Sequence, residues 1–198
     1  MPVCARDTGI YLGFMVVLGL FLLGKRYQNR MAPDRLVMAF AAVGVGLYAF
    51  DALSSYLGFR STSNDIRLLV GLAFGSGVSF LLLAVVSMTM FRGSERKRVF
   101  SLLDIAIIGP VLALVSVPLV IDLGLMSYYL MSTLVIVGYI IMLFFIMALL
   151  ISVIKSWNLT EPRNAGRLLA VSAVLEALFL VALWVVKFYV WPDIPLPG

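Results

Sequence analysis

SYYLMSTLVIVGYIIMLFFIMALLISVI, residues 127–154, runs without one charged side chain, and its reading decides the fold. A hydrocarbon core of about 30 Å needs about 20 apolar residues at a rise of 1.5 Å each, and a helix is the open-ended structure that satisfies its own backbone there. The stretch exceeds that length, which predicts a tilted span or one with a protruding end. Outward from it lie five more apolar stretches of near-spanning length, at about residues 8–23, 36–57, 66–91, 101–121 and 167–191. The sequence therefore predicts an all-α polytopic membrane protein, a bundle of six transmembrane helices forming a single domain over residues 1–198.

The punctuation between the stretches agrees with that division. Lys25, Arg26, Arg30 and Arg35 fill the first gap, a polar loop at residues 58–65 the second, and Arg92, Arg96, Lys97 and Arg98 the third. Ser101 and Asp104 read as a capping box opening the fourth span, and Asp34 as a cap on the second. Asp122-Leu-Gly124 turns the chain into the fifth, and Thr160-Glu161-Pro162 reads as a helix start before the sixth. The tail, residues 192–198, is proline-rich. There is no convincing internal repeat, so the inverted-repeat plan of many secondary transporters finds no support.

Hydrophobic residues make up 63% of the chain and charged residues 13%, with a mean hydropathy of +1.09. A soluble globular domain carries roughly a quarter charged residues, so that class is excluded. The net charge of +5 sits in clusters beside spans, the pattern of topology and of attraction to lipid headgroups, and nucleic acid is not an expected partner. With no histidine, a proton relay would run through Asp, Glu, Tyr or Lys, and no metal site is predicted. Cys4 is the single cysteine, so no internal disulfide forms. The N-terminus lacks a basic n-region and a small-residue cleavage site, so no cleavable signal peptide is expected.

The first, third and fifth gaps hold four, four and three Lys or Arg, eleven in all, against Arg6, Arg60, Arg67 and Lys187 on the other side. By the positive-inside rule both termini lie outside, in a multi-pass protein of the cell membrane. Tyr56, Tyr128, Tyr129, Tyr189 and Trp191 then form an outer aromatic belt, with Tyr27 and Trp157 at the inner interface.

That orientation gathers three polar segments at the outer face: Cys4-Ala-Arg6-Asp7-Thr8-Gly9-Ile-Tyr11, Asp51, and the loop around Thr62, Asn64 and Arg67. Gly9 and Gly13, and Gly71 and Gly75, make two G-x-x-x-G faces at matching depth, and Ala42 and Gly46 a third small-residue pair, so these helices are expected to approach closely. Asp51 lies nearly two turns before Gly58, too deep to cap a helix end. Helical spacing sets Gly44, Tyr48, Asp51 and Ser55 on one stripe, and Arg6 or Arg67 supplies the countercharge. Asp51 reads either as a functional acid, base or cation ligand or as half of a structural ion pair.

Arg6 and Arg67 carry the forked geometry that grips phosphate or carboxylate, the plainer reading being arginines snorkelling to headgroups. Asp7, Thr62, Asn64 and Asp65 precede or open helices, where they cap free N–H groups or help hold an anion. Tyr11 reads first as a belt residue. Cys4 has Arg6 nearby but no identifiable base, which argues against a nucleophile. Glu176 lies about 13 Å into the sixth span, near mid-bilayer. It shares a face with Ser172, Leu183 and Lys187, and Lys187 at roughly 16 Å is too distant to pair with it. Two readings stay open for Glu176: a step on an ion or proton path, and a hydrogen-bonded packing device.

The run Cys4-Ala5-Arg6-Asp7-Thr8-Gly9-Ile10-Tyr11-Leu12-Gly13, then Asp51, then Arg60-Ser-Thr62-Ser-Asn64-Asp-Ile-Arg67-Leu-Leu-Val-Gly71, resembles an uncharacterised family of small membrane proteins, domain of unknown function 2085. The resemblance covers roughly the first 90 residues and brings no settled activity. It implies a further segment ahead of this cysteine, with another Cys, a His and an Arg-Ser-Phe. This chain starts at Met1 just before Pro2-Val3-Cys4; in a longer form Cys4 would gain a partner, as a disulfide or a Cys/His metal site.

Three functional classes follow. The first is a membrane-embedded binding site, or an enzyme, with an extracytoplasmic pocket for an anionic group such as a lipid headgroup or small solute. The second is a transporter or channel routed through Asp51 and Glu176. The third is an accessory subunit or homo-oligomer packed through small-residue faces. The clustering of polar residues at one face favours the first. No nucleotide, haem or zinc motif is present, so no cofactor is assigned.

Overall fold

The computed structural model describes residues 4–58, 63–91, 95–120, 125–155 and 162–190. Six α-helices follow in chain order: α1 (Ala5–Leu23), α2 (Arg35–Tyr56), α3 (Asn64–Val86), α4 (Leu102–Val120), α5 (Leu125–Lys155) and α6 (Pro162–Val185). α3 and α6 continue as one-turn π-helices, Ser87–Phe91 and Val186–Val190. Five helices are long and apolar enough to cross a membrane, and α4 is apolar over the shorter Leu102–Ser116 among the described residues. Pro162 opens α6 from its first position, where a missing N–H costs nothing, so that helix begins earlier than the apolar span alone indicates.

α3 is the centre of the bundle. It is flanked by α1 and α2, while α5 packs on α1 and α6 packs on α5. Glycine makes the α1–α3 approach possible. A Cβ on Gly71 would fall 3.2 Å from the Gly9 Cα and onto the Arg6 carbonyl, and one on Gly13 would fall 2.8 Å from the Leu72 carbonyl oxygen. Both G-x-x-x-G pairs therefore face each other, backbone on backbone. The third pair does not behave as expected. Gly46 faces open space, and α2 instead meets α3 through Gly44, whose Cβ would sit 2.7 Å from the Ala73 carbonyl oxygen, and through Ala41 against Gly77. Gly44 and Ala41 lie three residues apart, on the face that Asp51 also shares, whereas Gly46 is turned away from it.

Below this crossing the core is aromatic. Phe80 meets Phe100 edge-on at 4.8 Å and Phe40 at 6.1 Å, and Phe14, Phe21 and Leu83 are fully buried around them. The first and third gaps carry a feature the sequence did not announce. β1 (Asn29–Met31) and β2 (Glu95–Arg98) pair in parallel, Asn29 against Glu95 and Met31 against Arg98, with an irregular register between. Strands this short show no alternation of apolar residues to betray them. Asp34 is corrected as well. It precedes α2 but makes no side-chain capping bond, and pairs at 2.6 Å with Arg98 from β2.

Candidate functional site

The glycine crossing fixes where Arg6 points. Its Nε and Nη2 donate to the same oxygen of Asp51, Oδ2, at 3.1 and 2.6 Å. Asp51 is only 4% exposed, and the Arg6 side chain 17%. α1 and α2 each pack on α3, so this pair joins two helices across a third. Asp51 Oδ1 is buried and has no hydrogen-bond partner among the described residues. One turn earlier on α2, Tyr48 stacks on Phe74 with ring centroids 4.3 Å apart, and the Arg6 guanidinium carbon lies 5.7 Å from the Tyr48 ring centroid. A cation over a tyrosine face adds attraction where water is scarce.

Further polar groups converge on the same end. Asp7, Cys4 and Asp51 lie close enough to the Tyr48 hydroxyl to act on it electrostatically, as Asp7 and Tyr48 do on Tyr11. Tyr11 meets Tyr139 of α5 edge-on at 5.4 Å. Gly138 allows that approach, since a Cβ there would lie 3.1 Å from the Tyr11 carbonyl oxygen. Tyr139 was missed by the sequence reading; the Gly138-Tyr139 pair inside an otherwise aliphatic run was its only signal. Cys4 precedes α1, exposed and free.

The second polar segment is less gathered. Ser55 and Arg67 are half-buried, and Asn64 is exposed at the first position of α3. The cap there is Ser63, whose hydroxyl accepts from Ile66 N at 3.4 Å. Thr62 and Arg60 lie outside the described residues. Glu176 belongs to another helix, on a buried stripe of α6 with Leu168 and Ser172; it is 6% exposed and its Oε1 has no hydrogen-bond partner among the described residues. Among the described residues no group of three or more His, Cys, Asp or Glu is placed to hold a metal ion.

A second polar cluster occupies the opposite end of the bundle. Asp104, fully buried, accepts from Arg26 Nη2 at 2.5 Å, from Ser101 N at 2.7 Å and from Ser101 Oγ at 3.1 Å. The capping bond read from Ser101-x-x-Asp104 is there, and the other oxygen takes an arginine from 78 residues earlier. Ser87, in the π-turn of α3, donates to the Asn29 carbonyl at 2.7 Å, and Asn29 Nδ2 donates to the Arg98 carbonyl at 2.9 Å. These bonds tie the first and third gaps together.

Relatives exist for the glycine-packed part of the chain. Residues 1–81 match a family model described as "Predicted membrane protein (DUF2085)". An uncharacterised protein of Methanocaldococcus jannaschii is 28% identical over 85 residues, which are 43% of this chain and 53% of that protein. An uncharacterised protein of Methanothermobacter thermautotrophicus is 32% identical over 81 residues, 40% of this chain and 68% of that protein. The chain thus spans about half the length of the first relative and two thirds of the second. No solved structure matches. Its apolar helices, the family match over residues 1–81 and its likeness to these archaeal proteins place the chain in one family: it belongs to the predicted membrane proteins of DUF2085.

Proposed function

We propose that this integral membrane protein binds an anionic headgroup, from a lipid or a small solute of the same chemistry, in an extracytoplasmic pocket around Arg6 and Asp51. The observation that carries the reading is Asp51 Oδ1, a buried acceptor without a donor among the described residues, beside a guanidinium whose two hydrogen-bonding nitrogens are both directed to the other oxygen. An unmet acceptor of this kind costs about 1–3 kcal/mol, which a ligand donor would recover. A phosphate oxygen on Arg6 with a hydroxyl or ammonium on Oδ1 complements both groups at once, the pattern of phosphoglycerol and phosphoethanolamine headgroups. Tyr11 and Tyr48 supply hydroxyls, and Cys4, Asp7, Ser55, Asn64 and Arg67 form the polar surround in this proposal. Should the site be catalytic, Asp51 is the residue placed to move a proton.

Native mass spectrometry of the solubilised protein with phosphatidylglycerol, phosphatidylethanolamine and phosphatidylcholine tests it. The wild type is expected to retain phosphatidylethanolamine in preference to phosphatidylcholine, and Arg6→Ala and Asp51→Asn to lose that preference together with part of the phosphatidylglycerol retention; an unchanged phosphatidylethanolamine preference in both variants would sink the site. The outer placement of this end rests on the eleven-to-four split of basic residues. In a Cys4→Ser background, Asn64→Cys is expected to react with an impermeant thiol reagent in intact cells and Lys97→Cys to stay protected. The opposite pattern would invert the topology.

One observation favours a second reading, transport through Asp51 and Glu176: each carboxylate is buried and each has an oxygen without a hydrogen-bond partner among the described residues. Cation or proton flux into proteoliposomes, abolished by both Asp51→Asn and Glu176→Gln, would favour it over the headgroup site.

A further inference from the structure

The end of the bundle where α1 and α3 finish and α2 and α4 begin carries the charge excess. We propose that this basic platform, built on β1 and β2, binds the headgroups of anionic phospholipids, independently of the Arg6 and Asp51 site. α1, at 19 residues, separates the two ends by roughly 28 Å. Among the described residues three acids sit at this end, and all three are engaged: Asp104 with Arg26, Asp34 with Arg98, and Glu95 with Lys97 at 2.7 Å. Lys25, Arg30, Arg35 and Arg96 are exposed and have no ion-pair partner among the described residues. These four positive charges therefore stand uncompensated among the described residues of this surface.

Topology alone does not require that arrangement. The positive-inside rule needs cations on one side of the membrane and is indifferent to whether their loops are ordered. Here the two basic segments are drawn into adjacent strands, about 4.8 Å apart, where like charges repel. A two-stranded sheet of this size is not stable alone. It is held by bonds from buried groups, Ser87 Oγ to the Asn29 carbonyl and Asn29 Nδ2 to the Arg98 carbonyl, and by Val99 N to the Met31 carbonyl at 3.0 Å. Fixed convergence of unpaired cations is what a phosphate-bearing ligand requires.

The depth of the platform selects lipid over a soluble anion. Leu23, Leu36 and Leu103 are exposed large apolar side chains, and Leu23 and Leu36 lie within two residues of Lys25 and Arg35. An apolar collar this close to the cations sets the boundary between hydrocarbon and headgroups at their level.

The experiment uses the full chain carrying Arg6→Ala, so that the other site is silent, and measures phosphatidylglycerol and phosphatidylcholine retained by native mass spectrometry at two salt concentrations. Adding Arg30→Gln and Arg96→Gln, both exposed and unpaired, is expected to weaken phosphatidylglycerol retention roughly thirtyfold, at about fivefold per cation. Retention should also fall with salt, leaving phosphatidylcholine unchanged. A preserved thermal transition in that variant confirms that the fold persists. Unchanged phosphatidylglycerol retention, equal retention of phosphatidylcholine, or full displacement by millimolar inorganic phosphate would each overturn the assignment to anionic lipid.

Discussion

α1 to α3 and α4 to α6 are built on different principles. In the first unit, backbones touch: Gly9, Gly13, Gly71 and Gly75 leave no room for a side chain, and 56% of the α3 span is buried in the protein. In the second, α6 meets α5 along a stripe of Leu168, Ser172 and Glu176, and only 11% of its span is buried. Close backbone approach maximises dispersion contacts where lipid gives no hydrophobic drive to helix association. The first unit can thus hold a charged pair in fixed geometry by itself, whereas the second depends on what surrounds it. The family likeness, over residues 1–81, ends close to where the tight packing ends.

The sharpest way to break this contrast is to put a side chain into the α1–α3 contact. Gly71→Leu forces its Cβ onto the Arg6 carbonyl and is expected to abolish the folded state, read as lost monodispersity and a lost thermal transition of the solubilised protein. Gly109→Leu in α4, where nothing lies within 4 Å of the added Cβ, is expected to leave the transition within a few degrees. Equal tolerance at the two positions would erase the distinction between the units.

The next effect in size concerns the end opposite Arg6. Asp104→Ala removes an acceptor for Arg26, Ser101 N and Ser101 Oγ together, and leaves Arg26 without its carboxylate. Breaking a buried pair in this way costs about 3–5 kcal/mol. Thermal unfolding of the variant should show the loss, and Arg26→Met with Asp104→Leu should recover part of it. A loss under 1 kcal/mol would mean that the parallel strand pair holds without its buried lock.

How much of this was legible in the sequence depended on range. The six helices were legible, because a run of apolar residues is a local signal and the bilayer sets its length. The facing of Gly9 with Gly71 was legible too, since both G-x-x-x-G pairs sit at one depth. Ala42 and Gly46 misled because small-x-x-x-small says only that a helix has a flat face, and α2 has two; Asp51 marks the one that packs. The Arg26–Asp104 and Arg98–Asp34 pairs were not legible. Local spacing already gave each aspartate a sufficient role as a cap, and nothing in strands of three and four residues announces a partner some 65 residues away. Asp51 was conspicuous for the converse reason, that no local role explains a carboxylate so far inside a helix.

Within the first unit, Asp51→Ala is expected to cost about 2 kcal/mol, less than Asp104→Ala, because one of its two oxygens makes no bond that could be lost. Asp51→Asn keeps the shape and offers Arg6 a neutral acceptor, so its cost should be about half as large. A double-mutant cycle with Arg6→Met isolates the pair from the stacking of Tyr48 on Phe74. A coupling near zero would make the pair an ornament on the glycine crossing; a coupling above 1 kcal/mol makes it the clamp between α1 and α2.

The smallest effect tests the second unit. Glu176 resembles Asp51 in burial and in having an oxygen without a partner, yet no ion pair to it exists among the described residues. A buried carboxyl with incomplete hydrogen bonding adds little to a thin interface and carries a desolvation cost. Glu176→Gln should therefore shift stability by no more than about 0.5 kcal/mol, and Glu176→Leu, which extends the apolar contact of α6 with α5, should raise it by about 1 kcal/mol. A stabilised Glu176→Leu that has also lost proteoliposome flux would show a residue held against the interest of the fold, the mark of a functional group in the loosely packed half. A loss of stability greater than 1 kcal/mol would show instead that the carboxyl is bonded into the bundle, and that α6 is anchored by the same polar means as α2.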